Sequence, residues 1–285
     1  MRLIGIDWGT SSFRAFRFAE DGSLLATHSA ARGILTVEGG KFAEALQGEI
    51  GSWLDGSPLL LSGMIGSRQG WIEAPYCPAP AGADEIAAAC IDLPGFSGHI
   101  VPGVSTVRPD VMRGEETQIL GTGIQDGLIC TPGTHSKWVR VVGGRIVDFA
   151  THMTGELYAV LRQHSILGRL MEGDGEDEGA FLAGVATAKA DPALGRTLFT
   201  ARSYGLFEKV PASGLASYLS GLLIGTEIAS EPGDGPVYLI ATPALTKRYQ
   251  AGLSVFGRTA QSIDGADAAA KGLWAIGQRL YGREG

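Results

Sequence analysis

Cysteine is scarce in this chain. Cys77, Cys90 and Cys130 make an odd number with no CxxC spacing, which excludes a disulfide framework and a zinc ribbon. Each reads most simply as a small buried hydrophobe. Long apolar runs are also missing, and no stretch approaches the roughly 20 residues that span a bilayer. The opening "MRLIGID" runs straight into a strand-like segment without the apolar core of a secretion signal. The expectation is a protein of the reducing cytoplasm with no membrane partner. Basic excess is absent too. Lys and Arg number 23 against 30 Asp and Glu, a net charge of -7, so nucleic acid is not an expected partner. The five histidines, His28, His99, His135, His152 and His164, show no metal-ligand spacing and no HExxH. The P-loop pattern fails because Gly40-Lys41 is followed by Phe42. No GxGxxG joins a strand to a helix, and no GxSxG nucleophile elbow occurs.

What remains is a chain of 285 residues, 45% hydrophobic and 19% charged, with 43 glycines. That length allows two domains, each with its own core. The first 30 residues read as a β-meander: Leu3–Ile6, Phe13–Phe18 and Ser23–His28, with Asp21-Gly22 as a turn. Lys41–Leu54 has helical spacing, "PLLLSGMIGS" is a buried strand entering a glycine loop, and Asp84–Leu93 is a short Ala-rich helix. The middle of the chain repeats the start. "LICTPGTHSKWVRVVGGRIVDF" is again strand, small-residue turn, strand, glycine turn, strand. Gly9-Thr10-x-Ser12 is matched by Gly133-Thr134-x-Ser136. Helices follow: Gly155–Met171, Glu178–Ala190, one opened by Asp191-Pro192, Ser213–Ser230, Pro243–Phe256 and Ala266–Tyr281, with a strand at Val237–Ala241. The acidic run "EGDGEDEG" reads as a solvated loop. Strands then helices, twice, describe an α/β protein of two lobes.

The two turns carry the chemistry. Backbone N–H groups and hydroxyls at Gly9, Thr10, Ser11 and Ser12, and at Gly133, Thr134, His135 and Ser136, suit phosphate oxygens. Asp7, at the mouth of the first strand, suits Mg²⁺ held through its water shell. The second copy has Thr131 in that place, so the repeat is chemically asymmetric. Lys137 either neutralises phosphate or points outward from an edge strand.

Together, "IGIDWGTSSFRAF", "SGMIGSRQGWIEAPY", "VMRGEETQILG", "PGTHSKWV", "MTGELYAVLRQHSIL" and "YLSGLLIGTEI" resemble the 2-dehydro-3-deoxygalactonokinase family. The resemblance covers nearly the whole chain. It implies the actin/sugar-kinase/Hsp70 fold, two RNase H-like lobes with an interlobe cleft. It also implies ATP and Mg²⁺ as cofactors and transfer of phosphate to the 6-hydroxyl of 2-dehydro-3-deoxy-D-galactonate. In related sugar kinases an acid opening a helix ahead of the second turn is the base. That makes Glu115 the first candidate here, Glu116 the second and Asp110 a weaker third. Acids also open helices simply to favour the macrodipole.

For the sugar acid, Ser67, Arg68, Gln69 and Trp71 stand on a glycine loop after a strand. Arg68 suits a carboxylate bidentately, and Arg113 is the alternative, or meets the γ-phosphate. Thr154, Gly155 and Glu156 form a helix start that either faces the substrate or simply caps. The adenosine site is expected at Ala241-Thr242-Pro243, where a glycine would be usual. Gly221 and Gly225 either admit the base or ribose or serve helix packing. The expected lobes are residues 1–108, with helix 266–285 packing back on them, and 109–265. Closure of the cleft would exclude water from ATP. Rival readings are an exopolyphosphatase-like phosphohydrolase, which "RGEE" also resembles, and a non-catalytic nucleotide switch of the same fold. Self-assembly into a homo-oligomer is left open.

Overall fold

The computed structural model describes residues 2–173, 176–231 and 233–282. The acidic run at 172–179 is therefore described only in part. The chain divides into two compact units. Unit 1 is Met1–Asp126, Val139–Phe149 and Asp264–Gly285; unit 2 is Gly127–Trp138 and Ala150–Ile263.

Unit 1 is built on β1 (Leu3–Trp8), β2 (Phe13–Phe18), β3 (Leu24–Ala30), α1 (Phe42–Ile50) and β4 (Leu59–Ser62). It continues through β5 (Tyr76–Pro78), α2 (Ala83–Ala88), β6 (Ile91–Asp92), β7 (Gly98–Ile100), β8 (Gly103–Ser105), β9 (Val111–Met112) and α3 (Glu115–Gly121). The main sheet has the order β3-β2-β1-β4-β7-β6, and β5-β8-β9 form a small second one. β1 and β4 are parallel neighbours, and β4 is buried at every position. A strand covered on both faces reads as a continuous apolar run, which is why "LIGI" and "LLL" lack alternation. The core against this sheet is aromatic. Trp8 meets Phe13 edge-on at 5.0 Å, and Phe42 stacks on Trp71 at 6.2 Å.

Unit 2 follows with β10 (Gly127–Thr131), β11 (Ser136–Val142), β12 (Arg145–His152) and α4 (Thr154–His164). Next come α5 (Glu178–Ala190), α6 (Leu194–Thr197), α7 (Thr200–Leu206), α8 (Leu215–Ser230), β13 (Val237–Ile240), α9 (Pro243–Val255) and β14 (Ala260–Ile263). Its sheet has the order β12-β11-β10-β13-β14, with β13 parallel to β10 and to β14. The division passes through β11 and β12. The order β12-β11-β10-β13 repeats β3-β2-β1-β4, so the internal repeat extends beyond the turns to the topology.

Helix α10 (Gly265–Tyr281) returns to unit 1. Asp264 caps it by accepting from Ala266 and Asp267 N–H. It crosses α3 at a distance only glycine permits. A Cβ on Gly272 would lie 1.8 Å from Thr117 O, and one on Gly121 1.8 Å from Ala268 O. This contact keeps α3 in unit 1, so the boundary falls at 126/127 where 108/109 was expected.

Several elements differ from expectation. The helix expected from Gly155 to Met171 stops at His164, and a 3-10 turn takes up Gly168–Leu170. The helix expected to open at Pro192 begins at Leu194, because the Asp191 carboxylate instead accepts from Ala193 N–H and pairs with Arg196. The helix expected over Asp84–Leu93 ends at Ala88, and Ile91–Asp92 pairs antiparallel with β7. The three thiols are free and burial pushes each of them up; Cys77 and Cys130 are buried as expected, whereas Cys90 is half-buried.

Candidate active site

The unit 1 portion is assembled from three chain segments at the ends of β1 and β4 and at the start of α3. Strand register places Asp7 opposite Arg14 on one side and Ser62 on the other. Asp7 Oδ2 accepts from Arg14 Nη2. Its Oδ1 faces Gly63, where a Cβ would lie 3.3 Å away. Gly63 has φ +100°, and a Cβ there would also lie 2.7 Å from Trp8 O, so the backbone requires glycine. Space is thereby kept beside the second carboxylate oxygen. Among the described residues no group of three His, Cys, Asp or Glu could hold a metal ion. One carboxylate with one oxygen turned to a glycine gap fits Mg²⁺ carried on phosphates and met through water.

The first turn rests on a supporting loop. Gly9 N–H donates to Ser12 O at 2.9 Å, and Gly9 O accepts from Ile34 N–H at 3.0 Å. A Cβ on Gly33 would lie 2.1 Å from Thr10 O, so the loop touches the turn backbone directly. Trp8 Nε1 adds a bond to Arg32 O at 3.0 Å. Thr10, Ser11 and Ser12 are exposed, with the turn held from beneath.

At α3 the two acids part. Glu116 is fully buried and accepts from Gly114 N–H at 2.7 Å, from Thr117 Oγ1 at 3.2 Å and from Ser62 Oγ at 3.4 Å. Burial first, and the neighbouring Glu115 charge second, push its carboxyl up to about 8. It reaches no solvent. Glu115 is half-buried, and its Oε2 accepts from Arg113 N–H at 3.1 Å. Asp110 accepts from its neighbour Val111 N–H at 2.8 Å.

The arginines part in the same way. The Arg68 side chain is 88% exposed and lies 3.6 Å from Glu73 in a surface ion pair. Arg113 is held: Nη2 donates to Ala74 O at 2.8 Å, and the guanidinium lies over Tyr76 at 4.5 Å. Its buried Nε and Nη1 find no partner among the described residues, nor does the hydroxyl of Ser67. Unpaired buried donors are costly and point to a missing acceptor. Gln69 is exposed. Trp71 is half-buried and packs against Phe42 and Phe96 of the core.

In unit 2 the second turn is gripped by α4. A Cβ on Gly155 would lie 2.5 Å from Gly133 O, and Glu156 N–H donates to Thr134 O at 3.1 Å. The Glu156 carboxylate meets His135 Nε2. Thr154 donates to Glu227. Thr154 and Glu156, expected against the sugar acid, are thus engaged in bracing this turn. Thr134 and His135 are exposed. Thr131 Oγ1 is buried at the end of β10 with no partner. Lys137, for which an outward direction was one reading, points inward instead, and its Nζ donates to Thr151 Oγ1 at 2.8 Å.

Gly221 and Gly225 serve packing. A Cβ on Gly221 would lie 1.9 Å from Phe181 O, and one on Gly225 2.9 Å from Val185 Cα, so α8 lies directly on α5 and leaves no room for a base. Open space lies instead at the start of α9. Thr242 is the exposed N-cap residue and makes no side-chain cap bond. Beside it is a cavity of about 310 Å³, lined by Phe181, Ser217, Pro243, Lys247, Arg248 and Ala251 among others. A smaller one of about 80 Å³ is lined by Gly133, Gly155, Ser220 and Arg248 among others. Arg248 borders both, and its Nη1 donates to Ser220 Oγ at 3.3 Å.

Sequence reasoning missed Arg14, Ser62, Glu227, Tyr249 and Arg248. Glu227 carried a signal: it is an acid inside the apolar run "LLIGTEI". The others are polar residues whose partners only the folded chain brings near.

A model of the 2-keto-3-deoxy-galactonokinase family matches residues 7–276. The chain belongs to this family. A relative from Rhizobium meliloti (strain 1021), named for 2-dehydro-3-deoxygalactonokinase activity, is 37% identical, with 97% of this chain and 96% of the relative covered. The 2-dehydro-3-deoxygalactonokinase of Escherichia coli (strain K12) is 34% identical, with 96% and 97% covered. The crystal structure of a Sinorhizobium meliloti protein assigned the same name has a TM-score of 0.90 at 36% identity, covering 98% of this chain and 99% of the other. A xylulose kinase from Lactobacillus acidophilus, at TM-score 0.51 and 10% identity, shares the fold. The chain thus shares the mixed α/β fold of that kinase. No helix among the described residues is long and apolar enough to cross a membrane.

Proposed function

We propose that this protein is an ATP-dependent kinase that phosphorylates the 6-hydroxyl of 2-dehydro-3-deoxy-D-galactonate. Family membership over residues 7–276 is the observation that carries the substrate. The local geometry supports the chemistry. Phosphoryl transfer asks for positioning, charge neutralisation and a base beside the attacking hydroxyl.

Glu115 is the base. It is half-buried beside Arg113, whereas Glu116 is sealed from solvent and serves to hold the start of α3. As the hydroxyl oxygen attacks, the Glu115 carboxylate takes its proton. Arg113 binds the sugar-acid carboxylate through the two nitrogens left without partners, and Ser67 supplies a hydroxyl. The backbone N–H groups of Gly9–Ser12 in unit 1 and of Gly133–Ser136 in unit 2 each suit phosphate oxygens, with the Thr131 hydroxyl, buried without a partner, beside the second turn. Asp7 would hold Mg²⁺ through water, and the ion would supply charge neutralisation on the phosphates. The adenosine takes the cavity at the start of α9, whose Phe181, Pro243 and Ala251 walls suit a flat apolar base.

The test is ADP release from Mg-ATP with and without 2-dehydro-3-deoxy-D-galactonate. Acceptor-dependent release is expected. Equal release without the sugar acid would favour a phosphohydrolase, and none in either case a nucleotide switch.

A further inference from the structure

Buried inside unit 2 is a carboxylate that the proposed reaction does not use. Glu227, on α8, is 2% exposed. It accepts from Trp138 Nε1 at 2.7 Å, from Tyr249 OH at 2.9 Å and from the Thr154 hydroxyl. Those donors come from β11, α9 and the first residue of α4. One side chain therefore ties four elements together. Burial raises its pKa, and the bonds from Thr154, Trp138 and Tyr249 pull it back. A carboxylate taken out of water at such cost persists only when donors replace its hydration.

The network has a direction. Trp138 Nε1 can only donate, and the two hydroxyls spend their protons on the carboxylate. The Tyr249 oxygen is then left to accept from Ser136 Oγ, 3.0 Å away. Ser136 Oγ in turn accepts from Gly133 N–H at 3.5 Å. A chain of bonds thus runs from the second turn, through Ser136 and Tyr249, to Glu227. Thr154 ends a second route, because its neighbour Gly155 presses on Gly133 O.

We propose that Glu227 is a positioning residue that fixes the second turn, Gly133–Ser136, in the conformation that receives ATP phosphates. The proposal rests on the reading of that turn as a phosphate site. Glu227 acts through Tyr249 and Thr154 and does not touch the nucleotide, since a buried anion facing phosphate would repel it. A glutamine there would turn amide protons towards donors that need an acceptor.

The experiment uses Tyr249→Phe and Thr154→Val, each of which removes one oxygen bonded to Glu227 and keeps the packing. Affinities for Mg²⁺ with a non-hydrolysable ATP analogue, and for adenosine alone, are measured by calorimetry. Both variants should bind the analogue about tenfold more weakly, because a displaced turn forfeits about one bond to the charged ligand. Adenosine affinity and the KM for the sugar acid should stay within about twofold of wild type. Glu227→Gln should show the same split. A lower Tm with unchanged analogue affinity in both single-oxygen variants would overturn the proposal and leave Glu227 a purely structural residue. If the wild-type protein binds the analogue no more tightly than adenosine, the turn does not receive phosphate. The reading beneath the proposal then fails, and the proposal with it.

Discussion

Asp7 has two oxygens with different surroundings. One is taken by Arg14, and the other faces the gap kept open by Gly63. Asp7→Asn keeps the shape and loses the charge. It should abolish Mg-dependent turnover while the thermal midpoint stays within a few degrees; near-normal kcat would remove Asp7 from the metal's neighbourhood. Glu115→Gln should lower kcat by about 10²–10⁴, the usual worth of a general base, with little change in the KM for ATP. The same loss from Glu116→Gln at unchanged Glu115→Gln activity would reverse their roles. The arginines give a paired test. Arg113→Met should raise the KM for the sugar acid by about tenfold or more, while Arg68→Ala stays within about twofold. In the sequence these two arginines look alike. What separates them is Ala74 O and the Tyr76 ring on one side and open solvent on the other. No spacing rule carries that information.

Among the elements, α3 is the most constrained, because it carries the acids and crosses α10 without room for a single methyl. Gly272→Ala should cost about 1–3 kcal/mol or more through overpacking, read by denaturant unfolding. The buried acid at its start makes stability depend on pH. Burial pushes the Glu116 carboxyl up to about 8, above the 4.5 usual for a glutamate in water. The folded state therefore holds the proton more tightly, and the stability this provides is present below pH 4.5 and lost as pH rises towards 8. Glu116→Gln removes that titration. The Tm of the variant minus that of wild type should therefore be larger at pH 8.5 than at pH 5; a constant difference would mean that Glu116 does not titrate there.

Elements with sustained patterns were legible: β1, β2 and α5 sit within a residue or two of their expected bounds. The two-residue strands β6 and β9 were not, because a partner strand defines them. Gly221 and Gly225 were legible as close approaches, but not as to what approaches. The answer is α5. Glu227 was readable in principle, since a helix apolar on all sides is buried and its acid must then be paired.

At the scale of the whole molecule, the strand order of one sheet recurs in the other, with the chemistry changed at one corresponding position. Asp7 ends β1, and Thr131 ends β10. One copy carries a carboxylate at that place and the other a hydroxyl. With a net charge of -7, the protein gives anionic ligands no general attraction, so the proposed binding depends on local donors such as the turn backbones and Arg113. The sequence motifs carried this repeat and the family. They did not carry the boundary at 126/127, which depends on how α10 meets α3. The most direct measurement is identification of the product. Mg-ATP, 2-dehydro-3-deoxy-D-galactonate and the purified protein are incubated, and the mixture is read by phosphorus NMR and mass spectrometry. The expected result is ADP with one phosphate ester on the C6 oxygen of the sugar acid. Free inorganic phosphate with the sugar acid unchanged would contradict it.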